Sequence, residues 1–402
     1  MELNNDYPEK SKFYRFPWSK NDNPIGWLEV TDACNIHCKG CYRQKLTGHK
    51  SFEEIKEEVL LFKKWRNCDN ISISGGEPLI HPKIEETVAF IHENNIKPIL
   101  LTNAVLLDRQ RLHELKKAGL KGLTIHIDSF QKRPGWEGKT EEELNELRLH
   151  YADMIHEARH LFCSFNATIY HENFSSIPII VKWANKHFDR VNSVIFITYR
   201  GVPLDNQFEY RVGNQKVELK DIISYTEDDV EKINITTVNV YNLLKEHFPY
   251  YDGCGYLGGT ASHDAYKWFV GAVLGMKDRP FGFFGKKGLE ITQVFHHLFN
   301  GTYPAYMLKT KVGRKTFLLS FFDKDIRKAF GNYLKNPLNL FRSVYVQSVG
   351  IIQAPDLLDD ENADMCDSCP DMTWYDGKLI NSCRMDEVRK FGSFIHAVKK
   401  EK

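Results

Sequence analysis

The feature that most constrains the fold of this chain is an alternation of short apolar runs with helical patterns from residue 25 to about 200. Two intervening stretches open with capping boxes, Ser51 with Glu54 and Thr140 with Glu143, which predict helices over 51–66 and 140–160. This alternation predicts a parallel α/β sheet, either open or curled into a partial barrel, with its chemistry at the carboxyl ends of the strands. The predicted strands are 25–30, 71–74, 98–102, 123–127, 164–170 and 194–198.

The alternation stops after about residue 201, which divides the chain of 402 residues into three parts. We expect an amino-terminal arm over 1–24, the strand-and-helix unit over 25–202, and a carboxyl-terminal region over 203–402. This last region contains an acidic stretch at 221–227 and a helical pattern at 238–247. We expect it to be a mainly helical or irregular extension that carries cysteines.

Charge is distributed unevenly, although the whole chain carries only +1. The segment 265–350 has 14 Lys and Arg against 4 Asp and Glu, and 17 aromatic residues, so the rest of the chain sums to −9. The longest uncharged apolar run, 268–276, is about half of the ~18 residues that a membrane span requires. We expect no transmembrane segment, and we expect a cytoplasmic location because no secretory signal is visible at the amino terminus.

Nine cysteines, an odd number in a chain with no visible secretory signal, argue against a disulfide framework. Three form a C-x3-C-x2-C cluster on the loop after the first predicted strand. Three thiolates on one loop can hold a cubane cluster and leave its fourth iron open to a ligand. A structural zinc site completed by His37 is the alternative. The cluster consists of Cys34, Cys38 and Cys41.

One βα unit later, the second strand is followed by Ser74-Gly75-Gly76-Glu77-Pro78. Together with the cysteine cluster, this motif resembles the radical S-adenosylmethionine (SAM) enzymes over residues 25 to about 200. The resemblance implies a partial (β/α)6 barrel, a [4Fe-4S] cluster with an open iron, and a one-electron donor such as flavodoxin or ferredoxin. It also implies reductive cleavage of SAM to a 5'-deoxyadenosyl radical that abstracts hydrogen from an unactivated carbon.

The resemblance also implies roles for particular residues. Glu77 and the backbone of Gly75 and Gly76 would hold the amino group of SAM. Polar residues at later strands would reach its ribose or methionine part, although each also suits a strand-end cap. Many family members carry an aromatic residue before the third cysteine, where this chain has Gly40. Tyr42 is therefore the expected adenine contact. The polar strand residues are Thr102, Asn103, Asp128, Asn166 and Arg200.

A second cysteine group lies near the carboxyl terminus. Its layout resembles the auxiliary-cluster domains, called twitch or SPASM, that follow the barrel in many radical SAM enzymes. Four thiolates would bind a second [4Fe-4S] cluster, and three with substrate at an open iron is a further arrangement. A four-cysteine zinc knuckle fits the spacing equally well. The expected ligands are Cys254, Cys366, Cys369 and Cys383; Cys68 and Cys163 read as small buried hydrophobes.

The substrate is predicted from the basic aromatic segment 265–350. Cations interleaved with aromatics suit a lipid-like or other anionic amphiphile, with peripheral membrane contact. They also suit RNA, and a core of aromatics under solvated lysines is the plainest interpretation. Three classes therefore remain: a lipid-modifying enzyme, a peptide maturase or tRNA-modifying enzyme, and a structural zinc or iron-sulfur protein without SAM chemistry.

Overall fold

The computed structural model describes residues 3–43, 46–199, 208–218, 235–263, 265–308, 310–357 and 363–400. Arg200 and the acidic stretch 221–227 lie outside these residues. The amino-terminal half contains seven strands: β1 Tyr14–Arg15, β2 Ile25–Thr31, β3 Asn70–Gly75, β4 Lys97–Thr102, β5 Gly122–His126, β6 Phe162–Ile169 and β7 Ser193–Thr198. Its helices are α1 Phe52–Trp65, α2 Ile84–Glu93, α3 Arg109–Lys117, α4 Leu144–Ala158 and α5 Ile177–Ala184.

The carboxyl-terminal half contains further strands and helices. The strands are β8 Phe208–Val212, β9 Gln215–Val217, β10 Gly253–Leu257, β11 Trp268–Met276, β12 Arg279–Phe283, β13 Tyr345–Gln353, β14 Asp356–Leu357, β15 Ala363–Asp364, β16 Met372–Tyr375, β17 Lys378–Asn381 and β18 His396–Lys399. The helices are α6 Thr237–His247, α7 Lys286–Asn300, α8 Lys324–Leu334 and α9 Met385–Phe391. None of the helices in the described part of the chain combines the length and apolarity that a membrane crossing requires.

All six predicted strands are present, as β2 to β7, and the helix predicted at 238–247 is α6. The capping box at Ser51 forms as predicted, since the Glu54 amide donates to the Ser51 hydroxyl and the Ser51 amide donates to the Glu54 carboxylate. The second box also forms, between Thr140 and Glu143, but α4 begins only at Leu144. A capping box therefore fixes a local turn without always starting the helix directly.

One large sheet runs through both halves of the chain. Strands β2 to β7 pair in parallel and in chain order, β13 then adds parallel to β7, and β11 and β10 follow antiparallel. The expectation of a mainly helical or irregular extension is therefore wrong, because the carboxyl-terminal half contributes β10 to β13 to this sheet. The run 268–276 is strand β11, whose apolar side chains are covered by neighbouring strands.

The sheet has two apolar faces with different neighbours. On the outer face, helices α1 to α5 bury side chains such as Val59, Phe62 and Ile91 against the strands. Burying one such side chain contributes about 1.5–3 kcal/mol, so this layer holds the curvature of the sheet. On the inner face, side chains from β2 to β7, β13 and β11 line one common cavity. The structure is thus a mixed α/β fold with a mostly parallel sheet curved into a partial barrel.

Candidate functional site

The site is a cavity of about 270 Å³ at the carboxyl ends of the parallel strands. The cluster residues Cys34, Cys38 and Cys41 all line it. Their loop is held against neighbouring strand ends, because the Lys39 amide donates to the Phe130 carbonyl at 3.1 Å. On the other side of the loop, the Asn103 side chain donates to Asn35 Oδ1 at 2.7 Å. The strands thus place three thiols at one cavity wall.

Gly75 and Gly76 line the cavity and allow the end of β3 to contact the cysteine loop. Gly75 has φ +128°, and a Cβ there would lie 2.2 Å from the Thr31 carbonyl oxygen. A Cβ on Gly76 would lie 2.0 Å from the Ala33 carbonyl oxygen, and the Gly76 amide donates to Thr31 at 2.7 Å. Any side chain at either glycine would therefore push the cysteine loop away from the sheet.

Glu77 is placed differently from the sequence prediction, since its buried carboxylate is not part of the cavity wall. It accepts hydrogen bonds from the Thr102 hydroxyl at 2.6 Å, the Asn103 amide at 2.7 Å and the Leu79 amide at 2.9 Å. Burial raises the pKa of Glu77, and these three donors partly oppose the shift. The carboxylate therefore ties the end of β4 to the turn after β3 and positions Thr102 and Asn103, which do line the cavity.

Asn166 on β6 lines the cavity, and its Oδ1 is buried without a hydrogen-bond partner among the described residues. The Thr124 hydroxyl, also on the cavity wall, lacks a partner in the same sense. A buried acceptor with no partner costs about 1–3 kcal/mol, which a polar ligand in the cavity would recover. These two side chains therefore mark the inner face as a place for a polar molecule.

Asp128 is buried behind the cavity wall, where it contacts His126 instead of the cavity. Its Oδ2 lies 2.8 Å from His126 Nε2, and its Oδ1 accepts from the Phe130 amide at 2.8 Å. His126 does line the cavity and also contacts the Thr168 hydroxyl at 3.1 Å. The sequence prediction names the carboxylate and misses the histidine two residues earlier, whose inward direction follows from strand alternation.

Tyr42 lines the cavity as well, and burial followed by the charge of Glu29 raises the pKa of its phenol. Gly40 has no room for a side chain, because a Cβ there would lie 2.6 Å from the Tyr170 hydroxyl and 3.0 Å from the Tyr199 ring. Tyr199 itself lines the cavity. Aromatic rings thus lie beside the cysteine loop at two places, at Tyr42 within the loop and at Tyr199 after β7. Nothing in the sequence near Gly40 indicates the contribution of Tyr199.

The second cysteine group opens onto the same cavity, which Cys366, Cys369 and Cys383 all line. A hydrogen bond to Cys369, followed by burial, raises the pKa of Cys366; burial and then the charge of Cys369 raise that of Cys383. Three adjacent thiolates would therefore repel one another unless a cationic centre neutralises them. Asp371 also faces the cavity, and burial raises the pKa of its carboxyl to about 7.

Cys254 is not brought to this group. It is fully buried in β10, where its thiol contacts the Val270 carbonyl at 3.2 Å, and it lines a different cavity. The structure places Cys254 away from the other three predicted ligands, because the pairing of β10 with β11 fixes this cysteine inside the sheet. Cys68 and Cys163 are buried, as expected for small apolar side chains.

A buried arginine attaches the second cysteine group to the barrel. Arg66, at the end of α1, is fully buried and donates to the carbonyls of Cys369 at 2.7 Å and Pro370 at 2.9 Å. It also donates to the carbonyls of Ile25 at 2.6 Å and Lys20 at 3.1 Å. One guanidinium thus fixes the Cys369 turn to the start of β2, which explains why two distant segments face one cavity.

A network of ion pairs joins the first cysteine loop to the helix after Cys383. Arg43 lies 2.8 Å from Asp32 and 3.0 Å from Asp386, and Arg389 lies 2.7 Å from Asp32. Burial opposes ionisation of Asp32, but the hydrogen bond and charge of Arg389, with Arg43, hold the pKa of Asp32 below its ordinary value. Asp32 and Arg43 flank Cys34 and Cys41 and line the cavity, so this network joins the wall at the first cysteine loop to helix α9.

Residues 28–184 match the model of the radical SAM superfamily. The chain is similar to GTP 3',8-cyclase of Aquifex aeolicus, with 35% identity over 26% of this chain and 34% of that protein. It is also similar to Fe-coproporphyrin III synthase of Methanosarcina barkeri, with 28% identity over 29% of this chain and 30% of that protein. The chain thus spans about a third of the length of these relatives.

Among solved structures, Streptococcus suis SuiB is similar over 56% of this chain and 46% of its own, with 15% identity and a TM-score of 0.41. The radical SAM family implies a [4Fe-4S] cluster and SAM, so we ask whether the residues of the site fit these two groups. In the described part of the chain, no three Cys, His, Asp or Glu side chains converge on a point that one ion would occupy. A cubane binds each thiolate at a different iron, and the unpartnered acceptors of Asn166 and Thr124 suit a polar ligand beside it. The residues present therefore fit both groups.

Proposed function

We propose that this protein is a radical SAM enzyme that cleaves SAM reductively and abstracts hydrogen from a carbon of a second molecule bound in the same cavity. The observation that carries the proposal is the shared wall. Thiols of Cys34, Cys38 and Cys41, glycine turns and partnerless polar acceptors meet at the carboxyl ends of one parallel sheet. This is the edge at which functional groups of barrel folds gather.

The chain's own residues would share the work as follows. Cys34, Cys38 and Cys41 would hold the cluster, which supplies one electron to SAM when both are bound. Asn166 and Thr124 would accept hydrogen bonds from SAM, because their oxygens lack partners among the described residues. Thr102 and Asn103, fixed by Glu77, would shape the methionine end of the site, and Tyr42 with Tyr199 would border the adenine.

For the second cysteine group, we propose that Cys366, Cys369 and Cys383 would hold a [4Fe-4S] cluster, which would leave one iron without a protein ligand. The position of Cys254 in β10 favours three thiolates over four. An iron without a protein ligand can bind substrate directly, which would hold the reacting carbon beside SAM. Asp371, on the same wall, is close enough to the group to contact what binds there. A zinc ion in its place is the alternative.

For the substrate, we propose a lipid-like amphiphile. A second cavity of about 180 Å³, which we call the lower cavity, lies on the same inner face towards the amino ends of the strands. Its lining is mostly apolar. Ser193 and Ile195 of β7 line it, whereas Ile197 of the same strand lines the site. Trp268 and Ile352 line both cavities, so the two cavities adjoin at these side chains. An apolar chain could occupy the lower cavity while its polar end meets SAM.

The activity is tested by adding SAM and dithionite to anaerobically reconstituted protein and measuring 5'-deoxyadenosine. We expect product from the wild type and from Cys163→Ala, a matched control for loss of a buried thiol outside the site, but not from Cys41→Ala. Absence of product from wild-type protein with a full complement of iron would overturn the proposal.

The substrate class is tested separately by binding of the fluorescent fatty acid cis-parinaric acid. Ala272 lines the lower cavity, and Ala272→Phe is expected to fill it while leaving the six cysteines that line the site unchanged. We expect this variant to bind the probe at least about fivefold more weakly while it still forms 5'-deoxyadenosine. Equal binding by the variant, or no binding by the wild type, would remove the lipid-like class and leave the radical chemistry intact.

A further inference from the structure

A large share of the exposed apolar surface is concentrated in one stretch of the carboxyl-terminal half. Of the nineteen large hydrophobic side chains that are exposed among the described residues, twelve lie between residues 294 and 341. Three of them are phenylalanines with at least three quarters of their surface in solvent: Phe299 at 75%, Phe321 at 76% and Phe341 at 87%. Single exposed apolar residues are ordinary, but so many in one stretch of the chain call for an explanation.

Helix α7 shows how this surface is built. One side of the helix faces the protein, where Leu289 and Gln293 line the lower cavity. The side chains that follow, among them Phe295 and Leu298, point into solvent, with Leu298 71% exposed. A helix that is apolar on both sides is normally buried on both sides. The outer side of α7 therefore lacks a neighbour in the described part of the chain.

The other exposed side chains lie on elements that contact α7 or one another. The 3-10 helix Arg314–Phe321 leads into Asp323, whose carboxylate accepts from the Gly288 amide of α7 at 2.7 Å. The 3-10 helix Pro337–Phe341 is attached to α8 by the Tyr333 hydroxyl, which donates to the Asn339 carbonyl. We name these four elements, α7, Arg314–Phe321, α8 and Pro337–Phe341, the aromatic surface.

The aromatic surface is also strongly basic. Five cations on these elements or within three residues of them are exposed and form no ion pair with a described carboxylate. They are Lys311, Arg314, Lys315, Lys328 and Lys335. A groove of about 600 Å³ opens beside α8, and Arg279, Lys328 and Lys335 line it together with a single acid, Asp325. Exposed apolar side chains thus stand next to uncompensated positive charge.

We propose that the aromatic surface docks on an anionic phospholipid bilayer, with its phenylalanines and leucines in the acyl boundary and its cations on the headgroups. This combination is the one that interfacial helices use to bind anionic membranes. A second copy of the chain is a poorer partner, because the two surfaces would bring like charges together around a segment of charge +10. RNA would use the cations and rings but give Leu298, Leu318 and Leu338 no partner.

The test is co-sedimentation of the full-length protein with vesicles of phosphatidylglycerol and phosphatidylcholine, against vesicles of phosphatidylcholine alone. We expect binding to the anionic vesicles, weakened at high salt. Phe295→Ser with Phe299→Ser is expected to reduce the bound fraction at least about tenfold at fixed lipid, because both rings would lose the burial of their apolar surface in the bilayer. The matched control is Leu60→Ser with Trp65→Ser, two similarly exposed side chains on α1.

The charge contribution is tested by Lys328→Glu with Lys335→Glu, whose side chains are exposed. We expect loss of preference for anionic vesicles with an unchanged thermal unfolding temperature. Failure of the wild type to bind either vesicle would overturn the proposal. A concentration-dependent dimer that the Phe295 and Phe299 changes abolish would assign the surface to a second copy, and salt-sensitive RNA binding without vesicle binding would assign it to RNA. The inference does not rest on the radical chemistry.

Discussion

Two groups of three cysteines face one cavity, but the chain builds them in different ways. The first occupies eight consecutive residues on the loop after β2, so its three cysteines are close to one another in the sequence itself. The second is interrupted by the β16–β17 hairpin between Cys369 and Cys383, and depends on Arg66, some 300 residues earlier, for its position. The first is therefore a local structure, whereas the second exists only once the whole chain is folded.

The largest effect is expected from breaking the local group. Cys34→Ala should lower 5'-deoxyadenosine formation by at least about 1,000-fold and reduce iron from about eight atoms per chain to about four, since one cubane is lost. Chemical iron analysis and product quantification by chromatography measure the two effects. Iron that stays near eight would show that Cys34 is no ligand.

Removing the second cysteine group should lower the iron content with little effect on SAM cleavage. Cys366→Ala with Cys369→Ala is expected to remove about four iron atoms, while 5'-deoxyadenosine formation without substrate stays within about tenfold of the wild type. Cys254→Ala is the matched control and should keep all the iron, because its thiol lies in β10. Loss of iron in the control would restore Cys254 as a ligand.

Arg66→Met tests whether the second group depends on tertiary attachment. It removes the donor to three buried carbonyls and one partly buried carbonyl, so we expect a loss of about 3 kcal/mol in the free energy of unfolding, measured with urea. Arg109→Met removes a surface ion pair with Glu157 and should leave that free energy nearly unchanged, because solvent screens an exposed pair. Equal effects of the two changes would contradict the comparison.

The smallest effect is expected from the ion network that joins the first cysteine loop to helix α9. Because the pKa of Asp32 is lowered in the folded state, its contribution to stability is present above its unfolded pKa and is lost as pH falls through the folded one. Arg389→Met should therefore cost about 0.5 kcal/mol at neutral pH, and the difference from wild type should shrink below about pH 4. Urea unfolding at several pH values measures it, and a difference constant with pH would exclude Asp32 as the partner.

Much of the amino-terminal half can be predicted from sequence because its signals are local. Short apolar runs predict β2 to β7, and the cysteine spacing together with Gly75 and Gly76 indicates where the site lies. The carboxyl-terminal half cannot be predicted in this way. Strands β10 and β11 contain two glycines each, and β13 pairs with β7, whose residues lie about 150 positions earlier, so no local pattern reveals how these strands join the sheet.

Within the site, the sequence indicates which residues lie near the cavity more readily than it indicates which side chains point into it. The charges of Glu77 and Asp128 mark them as ligand contacts, yet both carboxylates are buried in hydrogen bonds behind the wall. His126 and Tyr199 reach the cavity without belonging to any motif. Counting cysteines assigns Cys254 to the second group, and only the register of β10 against β11 separates it from the others.

The pairing of β7 with β13 has a consequence for how the chain is made. During synthesis β7 ends at Thr198, and its partner begins 147 residues later at Tyr345. Until that segment leaves the ribosome, one edge of the nascent sheet presents unpaired backbone groups to other chains. Such long-range pairing is slow to form, and exposed edges promote aggregation. A fragment released after residue 198 should therefore accumulate in inclusion bodies, and productive expression should depend on slow translation or chaperones that shield this edge.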